Sequence, residues 1–193
     1  MQLLEDRIAK EARNLGDGIL KVDGFINHQV DPELMEACGK EFARLFAGVG
    51  ARRILTAEIS GIAPALMTAR YLNLPVVYAR KKKPVTMSDT VYLTVAPSHT
   101  KGVMTELIVS PDFLPREEPV LIIDDFLASG ATIMGLVRLI QAAGAPLVGV
   151  GALIEKEFEG GREALAYLNV PVHALASIKS MENGEILFSD RQE

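Results

Sequence analysis

The sequence predicts an α/β fold: an open parallel sheet flanked by helices. Apolar runs with little alternation recur along the chain, which is typical of strands buried on both faces. Segments with helical periodicity separate these runs, as crossover connections between parallel strands require. The length of 193 residues suits one domain, 1–193, with a single hydrophobic core.

The N-terminal part is predicted to contain two helices joined by a short extended piece. The first helix has an apolar stripe formed by Leu4, Ile8, Ala12 and Leu15. The turn at 16–18 ends it, and 19–22 is extended. Asp31 before Pro32 predicts the start of the second helix, because Asp caps free N–H groups and Pro suits the first helical position.

Strands and helices then alternate. Strands are predicted at 54–57, 76–79, 120–123 and 147–154, and helices at 63–72 and 131–143, the last capped by Gly144. No helix is predicted between Arg80 and Pro119. That stretch instead contains a hairpin with strands at 90–96 and 104–109 and a polar tip at 97–102. An excursion of this length is typical of a lid or binding loop.

Composition and charge exclude several classes of protein. The net charge of -5 does not favour general binding to phosphate backbones, so no nucleic-acid partner is expected. A single cysteine, Cys38, excludes an internal disulfide framework and a Cys-rich zinc site. The charged N-terminus lacks the apolar block of a signal peptide, and no apolar run approaches the ~18 residues of a membrane span. We therefore expect a cytoplasmic protein without membrane association.

The segment VLIIDDFLASGAT, residues 120–132, predicts a ligand site. Asp124 and Asp125 follow a buried strand, and ligands of open parallel sheets bind beyond the carboxyl ends of the strands. The small residues 128–132 open an amphipathic helix whose first N–H groups lack partners, so an anion can approach the backbone. Two acids alone could simply end a strand and cap a helix. The whole pattern instead favours a phosphorylated sugar, with its hydroxyls on the carboxylates and its phosphate on the helix.

VLIIDDFLASGAT resembles the phosphoribosyl-pyrophosphate signature of the type I phosphoribosyltransferases. The segments LKVDGFINHQVDP, EISGIAPALM, VVYARKKK and LIEKEFEGGREAL are similar to the bacterial xanthine phosphoribosyltransferases in particular, so the resemblance extends over nearly the whole chain. It implies transfer of ribose 5-phosphate from phosphoribosyl pyrophosphate to xanthine, with Mg²⁺ bound to the donor. It also implies a homodimer, a long flexible loop and a small hood with parts near 15–30 and 155–193.

The resemblance assigns roles to three groups of residues. Asp124 and Asp125 face the ribose hydroxyls, and the 5′-phosphate is wrapped by Ala128, Ser129, Gly130, Ala131 and Thr132. The leaving pyrophosphate meets Ser60, Gly61, Arg80 and Lys81. Xanthine is held by Leu20, Asn27 and Lys156. The acid pair and Lys81 are the catalytic candidates, and no residue is assigned as a direct metal ligand.

One departure from the wider family bears on mechanism. Hypoxanthine-guanine enzymes carry a third aspartate three residues after the acid pair, and Ala128 stands there in this chain. The chain therefore lacks that candidate general base. Two alternatives stay open: a regulator of the same fold that binds the sugar phosphate and a nucleic acid, and an enzyme that prefers guanine or hypoxanthine.

Overall fold

A six-stranded sheet forms the centre of the computed structural model, which describes residues 1–97 and 104–189. The strands are β1 (Arg13–Asn14), β2 (Leu20–Lys21), β3 (Arg53–Ala57), β4 (Val76–Ala79), β5 (Tyr92–Pro97), β6 (Met104–Val109), β7 (Val120–Leu127), β8 (Leu147–Lys156), β9 (Val172–Ser180) and β10 (Leu187–Phe188). The α-helices are α1 (Gln2–Glu11), α2 (Pro32–Leu45), α3 (Ile62–Leu72), α4 (Ala131–Ala143) and α5 (Gly161–Leu165).

The order of the central sheet is β10-β9-β8-β7-β3-β4. The neighbours from β9 to β4 are parallel, whereas β10 runs antiparallel to β9. The α/β prediction is confirmed, and the edge strand β10 makes the sheet mixed. The sequence analysis did not identify β9, which lies in the part of the chain assigned to the hood and joins the central sheet instead.

Helices on both faces of the sheet divide the hydrophobic core in two. Leu121 and Ile123 of β7 belong to the cluster that contains α2 and α3 residues. Val120 and Ile122 point the other way, into the cluster that contains α4. Burial on both faces explains why the strand has a continuous apolar run rather than an alternating one.

The first helix is shorter than predicted. It ends at Glu11, and Leu15 lies outside it with more than half of its surface exposed. Arg13 and Asn14 pair instead with Lys21 and Leu20 in the β1–β2 hairpin. The Asn14 amide also donates to two backbone carbonyls near the C-terminus, so long-range hydrogen bonds overcome the local helical pattern. The start of α2 is as predicted, with the Asp31 carboxylate accepting from the Leu34 backbone N–H at 3.0 Å.

β7 and β8 are longer than predicted because they continue to pair with one another. Asp124 pairs with Ala152 and Leu127 with Glu155, beyond Ile122, the last residue of β7 registered with β3. The acid pair therefore lies inside β7, in the part that projects past β3, rather than after the strand.

The predicted hairpin is confirmed as β5 and β6, which pair in antiparallel register. Arg138 of α4 holds it, donating to the Thr94 hydroxyl at 2.9 Å and the Val95 carbonyl at 2.7 Å. Apart from Pro97, the predicted tip at 97–102 lies outside the described residues. In the ranges that the structure describes, no helix combines the length and apolarity needed to cross a bilayer.

Candidate active site

A cleft of about 370 Å³ opens where β7 projects past β3. Its lining brings together residues from seven separate stretches of the chain, between Ile19 and Lys156. Among the residues singled out from the sequence, those that line it are Leu20, Asn27, Ser60, Lys81, Asp124, Asp125, Ala128, Ser129, Gly130, Ala131, Thr132 and Lys156. Gly61 and Arg80 are absent from the lining and contact residues that belong to it.

The two acids of the cleft, Asp124 and Asp125, both have raised pKa values. Burial, followed by the charge of Asp125, raises the pKa of the Asp124 carboxyl well above its usual range. Burial also raises the pKa of Asp125, although a hydrogen bond from Ser60 works in the opposite direction. The Thr56 hydroxyl donates to Asp124 at 3.4 Å. The ionised form of a buried acid is stabilised by hydrogen-bond donors or by a cation, and a ligand can supply either.

Gly61 is required next to the acid pair. A Cβ atom at this position would overlap both the Thr56 hydroxyl and an Asp124 carboxylate oxygen. Glycine therefore lets the turn between β3 and α3 lie directly against the acids, with Ser60 in the cleft.

The loop of small residues, 128–132, leads from β7 into α4. Gly130 is the N-cap of α4 and has a φ of 80°, a left-handed conformation that glycine adopts without strain. The small residues of this loop line the cleft, and the first N–H groups of α4 give this helix end a positive polarity. The binding of an anion here stays a prediction.

Gly161 supports this loop and was missed by the sequence analysis. A Cβ atom on Gly161 would collide with the Ala128 carbonyl oxygen and would lie 2.9 Å from the Gly130 nitrogen. The start of α5 is thus packed against the back of the loop. The adjacent glycines at 160 and 161 are the sequence signal that could have indicated this close approach.

Glu58 belongs to the segment EISGIAPALM, and no role for its side chain was predicted from the sequence. Its carboxylate accepts a hydrogen bond from the Lys81 backbone N–H at 2.6 Å and lies 2.7 Å from the Arg80 Nε. Glu58 itself lines the cleft. Arg80 is thus directed at Glu58, and the Glu58 carboxylate holds the point where the long excursion leaves β4.

The residues predicted to hold the base, Leu20, Asn27 and Lys156, line the same cleft. Asn27 ends a π-helical turn, Asp23–Asn27, anchored by the buried Phe25 and Ile26. Lys156 is only 6% exposed. Its ammonium lies 5.4 Å from the centre of the Phe126 ring, and Phe126 lines the cleft without having been predicted to do so.

Comparisons with known proteins agree with one another. The family model described as "Phosphoribosyl transferase domain" matches residues 42–168. A xanthine phosphoribosyltransferase from Latilactobacillus sakei subsp. sakei is 50% identical over 190 residues, covering 98% of this chain and 97% of that protein. One from Listeria monocytogenes is 46% identical over 192 residues, covering 100% of both.

Solved structures show the same fold at low identity. The adenine phosphoribosyltransferase from Thermoanaerobacter pseudethanolicus has a TM-score of 0.72 and 22% identity, covering 90% of this chain and 99% of that one. The APRTase from Giardia lamblia, complexed with 9-deazaadenine, has a TM-score of 0.75 and 19% identity, covering 92% and 98%.

Proposed function

Because the chain belongs to the phosphoribosyl transferase domain family, we propose that it transfers ribose 5-phosphate from 5-phospho-α-D-ribose 1-diphosphate to xanthine. The products are xanthosine 5′-monophosphate and pyrophosphate, as in purine salvage. One observation carries the proposal: a single cleft is lined by the loop at 128–132, the buried acid pair, Asn27 and Lys156. The full-length relatives that bear the name of this activity support the same substrates.

The donor is bound through the acid pair and the loop at 128–132. The 5′-phosphate accepts hydrogen bonds from the first N–H groups of α4, while Asp124 and Asp125 accept from the ribose hydroxyls. The pyrophosphate meets the turn at Ser60 and Gly61 and the positive charge of Lys81. Arg80 acts indirectly, because it contacts Glu58 and does not itself line the cleft.

The reaction forms a bond between the purine N9 and C1′ of the ribose. The bond from C1′ to the pyrophosphate oxygen breaks, and the pyrophosphate leaves with the electron pair. Positive charge develops on the ribose ring, and the protein contributes mainly by orienting the reactants and stabilising charge. Attack from the face opposite the leaving group inverts C1′. Since Ala128 has no titratable group, no side chain at that position takes a proton from the purine. Xanthine is acidic enough to lose a proton to water before the attack and so to bind partly as an anion.

A Mg²⁺ ion bound with the donor fits this cleft. Residues 1–97 and 104–189 contain no group of three or more His, Cys, Asp and Glu side chains able to hold a metal. Mg²⁺ commonly takes one or two carboxylates and completes its shell with phosphate oxygens and water. The raised pKa values of Asp124 and Asp125 mark two acids whose ionised forms a cation would stabilise. These two residues would hold the ion, which when bound neutralises charge on the pyrophosphate.

Base selection is attributed to Leu20, Asn27 and Lys156. Xanthine has oxygens at both C2 and C6, whereas guanine has an amine at C2 and hypoxanthine only hydrogen. The Asn27 amide and the Lys156 ammonium both donate. A hydrogen-bond donor that faces the C2 oxygen of xanthine would find no acceptor in hypoxanthine and would face the amine of guanine. A buried polar group without a hydrogen-bond partner costs about 1–3 kcal/mol.

The decisive experiment measures product formation from the donor with xanthine, guanine, hypoxanthine and adenine in competition. We expect xanthine to be preferred at least ~10-fold in kcat/KM, which corresponds to about 1.4 kcal/mol. A preference for guanine or hypoxanthine would select the alternative enzyme. No product with any purine, together with retention of RNA or DNA in a filter-binding assay, would select the regulator.

We also propose that the enzyme is a homodimer in the cytoplasm. Its one cysteine, Cys38, is buried and unpaired, as is usual in a reducing compartment. Cell fractionation tests the location, and light scattering tests the assembly.

A further inference from the structure

The β1–β2 hairpin forms part of the wall of the cleft. Ile19 and Leu20 of this hairpin line the cleft. The hairpin is attached to the C-terminal part of the chain at two points. At its base, the Asn14 amide donates to the carbonyls of Met181 and Glu185 at 3.1 and 3.3 Å. At its tip, the Gly18 carbonyl accepts a hydrogen bond from the Lys156 ammonium at 2.6 Å.

Lys156 is held from a second side by Glu159. The Glu159 carboxylate lies 3.2 Å from the ammonium, and the two side chains are only 16% and 7% exposed. A lysine has a flexible stem and a strongly hydrated head, so a poorly exposed ammonium needs partners to stay in one place. The carbonyl of Gly18 and the carboxylate of Glu159 provide them.

The tip of the hairpin packs directly on the turn that carries Glu159. Gly18 has a φ of 72°, and a Cβ atom there would lie 3.5 Å from the Phe158 ring and 3.6 Å from a Glu159 oxygen. Gly18, Lys156 and Glu159 thus form one contact that joins the N-terminal hairpin to the end of β8.

We propose that Glu159 is a positioning residue of the purine site, which keeps Lys156 on the Gly18 carbonyl and thereby keeps the hairpin closed over the base. This inference rests on the proposed function and deepens it: Lys156 is both a contact for the base and a latch for the hairpin. Glu159 does not line the cleft and acts through Lys156. A preformed wall lowers the ordering cost of purine binding, so its loss affects base affinity rather than the chemical step.

The test is Glu159→Gln, which keeps the size of the side chain and removes its charge. We expect the KM for xanthine to rise about 10-fold, while kcat and the KM for the donor stay near wild type. Glu157→Gln is the matched control, because it removes an equal charge from an exposed position on the same turn and should leave every constant unchanged. Glu159→Asp retains the charge and should restore part of the affinity.

A double-mutant cycle separates positioning from a general loss of structure. If Glu159 acts through Lys156, Glu159→Gln should have no further effect on the purine KM in a Lys156→Met background. An equal effect in both backgrounds, or a wild-type KM in Glu159→Gln, would overturn the inference.

Hydrogen exchange provides a readout that does not depend on which purine is used. The Ile19 amide bonds to the Gly16 carbonyl in the tip of the hairpin, and its exchange should accelerate in Glu159→Gln but not in Glu157→Gln. Unchanged exchange would count against the latch. Failure of wild-type protein to use xanthine would overturn the proposed substrate alone, and the KM comparison would then be made with the purine that is used.

Discussion

At the scale of single residues, Asp124 shows a conflict between function and stability. Asp124 is 4% exposed and next to a second acid, and both conditions disfavour the ionised form, which under the proposed function accepts hydrogen bonds from the sugar. Under the proposed function, the hydroxyls of the bound donor offset this cost. Residues of this kind are stabilised by their ligand rather than by the fold.

Asp124→Asn should therefore lower donor use and raise thermal stability. Losing a charge-assisted hydrogen bond costs roughly 1.5–3 kcal/mol, or about 10- to 150-fold in kcat/KM for the donor. The melting temperature should rise, by about 2–4 °C for each kcal/mol gained. Asp6→Asn, at an exposed position on α1, is the control. A wild-type kcat/KM for the donor in Asp124→Asn would rule out the sugar-hydroxyl assignment.

The raised pKa of Asp124 also predicts the direction in which the free energy of unfolding changes with pH. Because the pKa of Asp124 is raised above its ordinary value of 3.8, the folded protein binds this proton more tightly than the unfolded chain does. The contribution of Asp124 to the free energy of unfolding should fall as the pH rises from about 3.8 through the raised pKa. The stability advantage of Asp124→Asn should accordingly grow with pH across this window. Chemical denaturation at several pH values measures it, and an advantage that is the same at all pH values would contradict the raised pKa.

At the scale of elements, the position of the 128–132 loop depends on α5 as much as on α4. The N-terminal end of α4 provides unpaired N–H groups, but Gly161 decides where the loop lies, because its lack of a side chain permits direct backbone packing. The loop is contiguous in sequence, whereas its support comes from about thirty residues later.

Gly161→Ala should weaken donor binding while the protein still folds. The added methyl group would push against the Ala128 carbonyl and the Gly130 nitrogen, and a displacement of about 1 Å at a binding loop can cost up to ~10²-fold. Calorimetry with the donor measures the loss. Gly48→Ala, where the methyl group would meet open space, should bind the donor as wild type does. Equal affinity in both variants would show that the loop does not need Gly161.

The contact between Glu58 and the beginning of the excursion predicts a second effect at this scale. Glu58→Gln weakens the interactions with Arg80 and with the Lys81 backbone, so Lys81 should be less well placed for the pyrophosphate. We expect kcat/KM for the donor to fall about 10-fold, the low end of the cost of losing a charge-assisted hydrogen bond. Steady-state kinetics test this, with the exposed Glu33→Gln as the control for charge. A donor constant at the wild-type value would leave Glu58 with a purely structural role.

At the scale of the whole molecule, α3 carries an apolar surface beside the last strand of the central sheet. This strand is β4, and α3 exposes Leu66 and Tyr71. The chain directly after β4 already pairs with β6, through Arg80 and Ile108, so the apolar side chains of α3 are the surface where a second copy can pack.

We expect light scattering to give twice the 20.9 kDa of one chain. Leu66→Glu should shift the mass toward that of one chain, because it places a charge in the apolar surface. Leu187→Glu, at an exposed position on the opposite edge strand, is the control and should leave the mass of the dimer unchanged. A mass of one chain at every concentration would contradict the homodimer.

The α/β class, most of the strands and helices, and the place of the acid pair and the small-residue loop in the cleft could be predicted from the sequence. These features are local: burial on two faces appears as an apolar run, and Asp124 to Thr132 are consecutive in the chain. Three other features depend on tertiary contacts. They are the length of β7, the support of the loop by Gly161, and the burial of Lys156 against the Gly18 carbonyl, 138 residues away. Strand length depends on the partner that continues to pair. Apolar periodicity shows which face of a helix or strand is buried. Polar contacts also depend on how two such elements are oriented relative to one another, which periodicity does not specify.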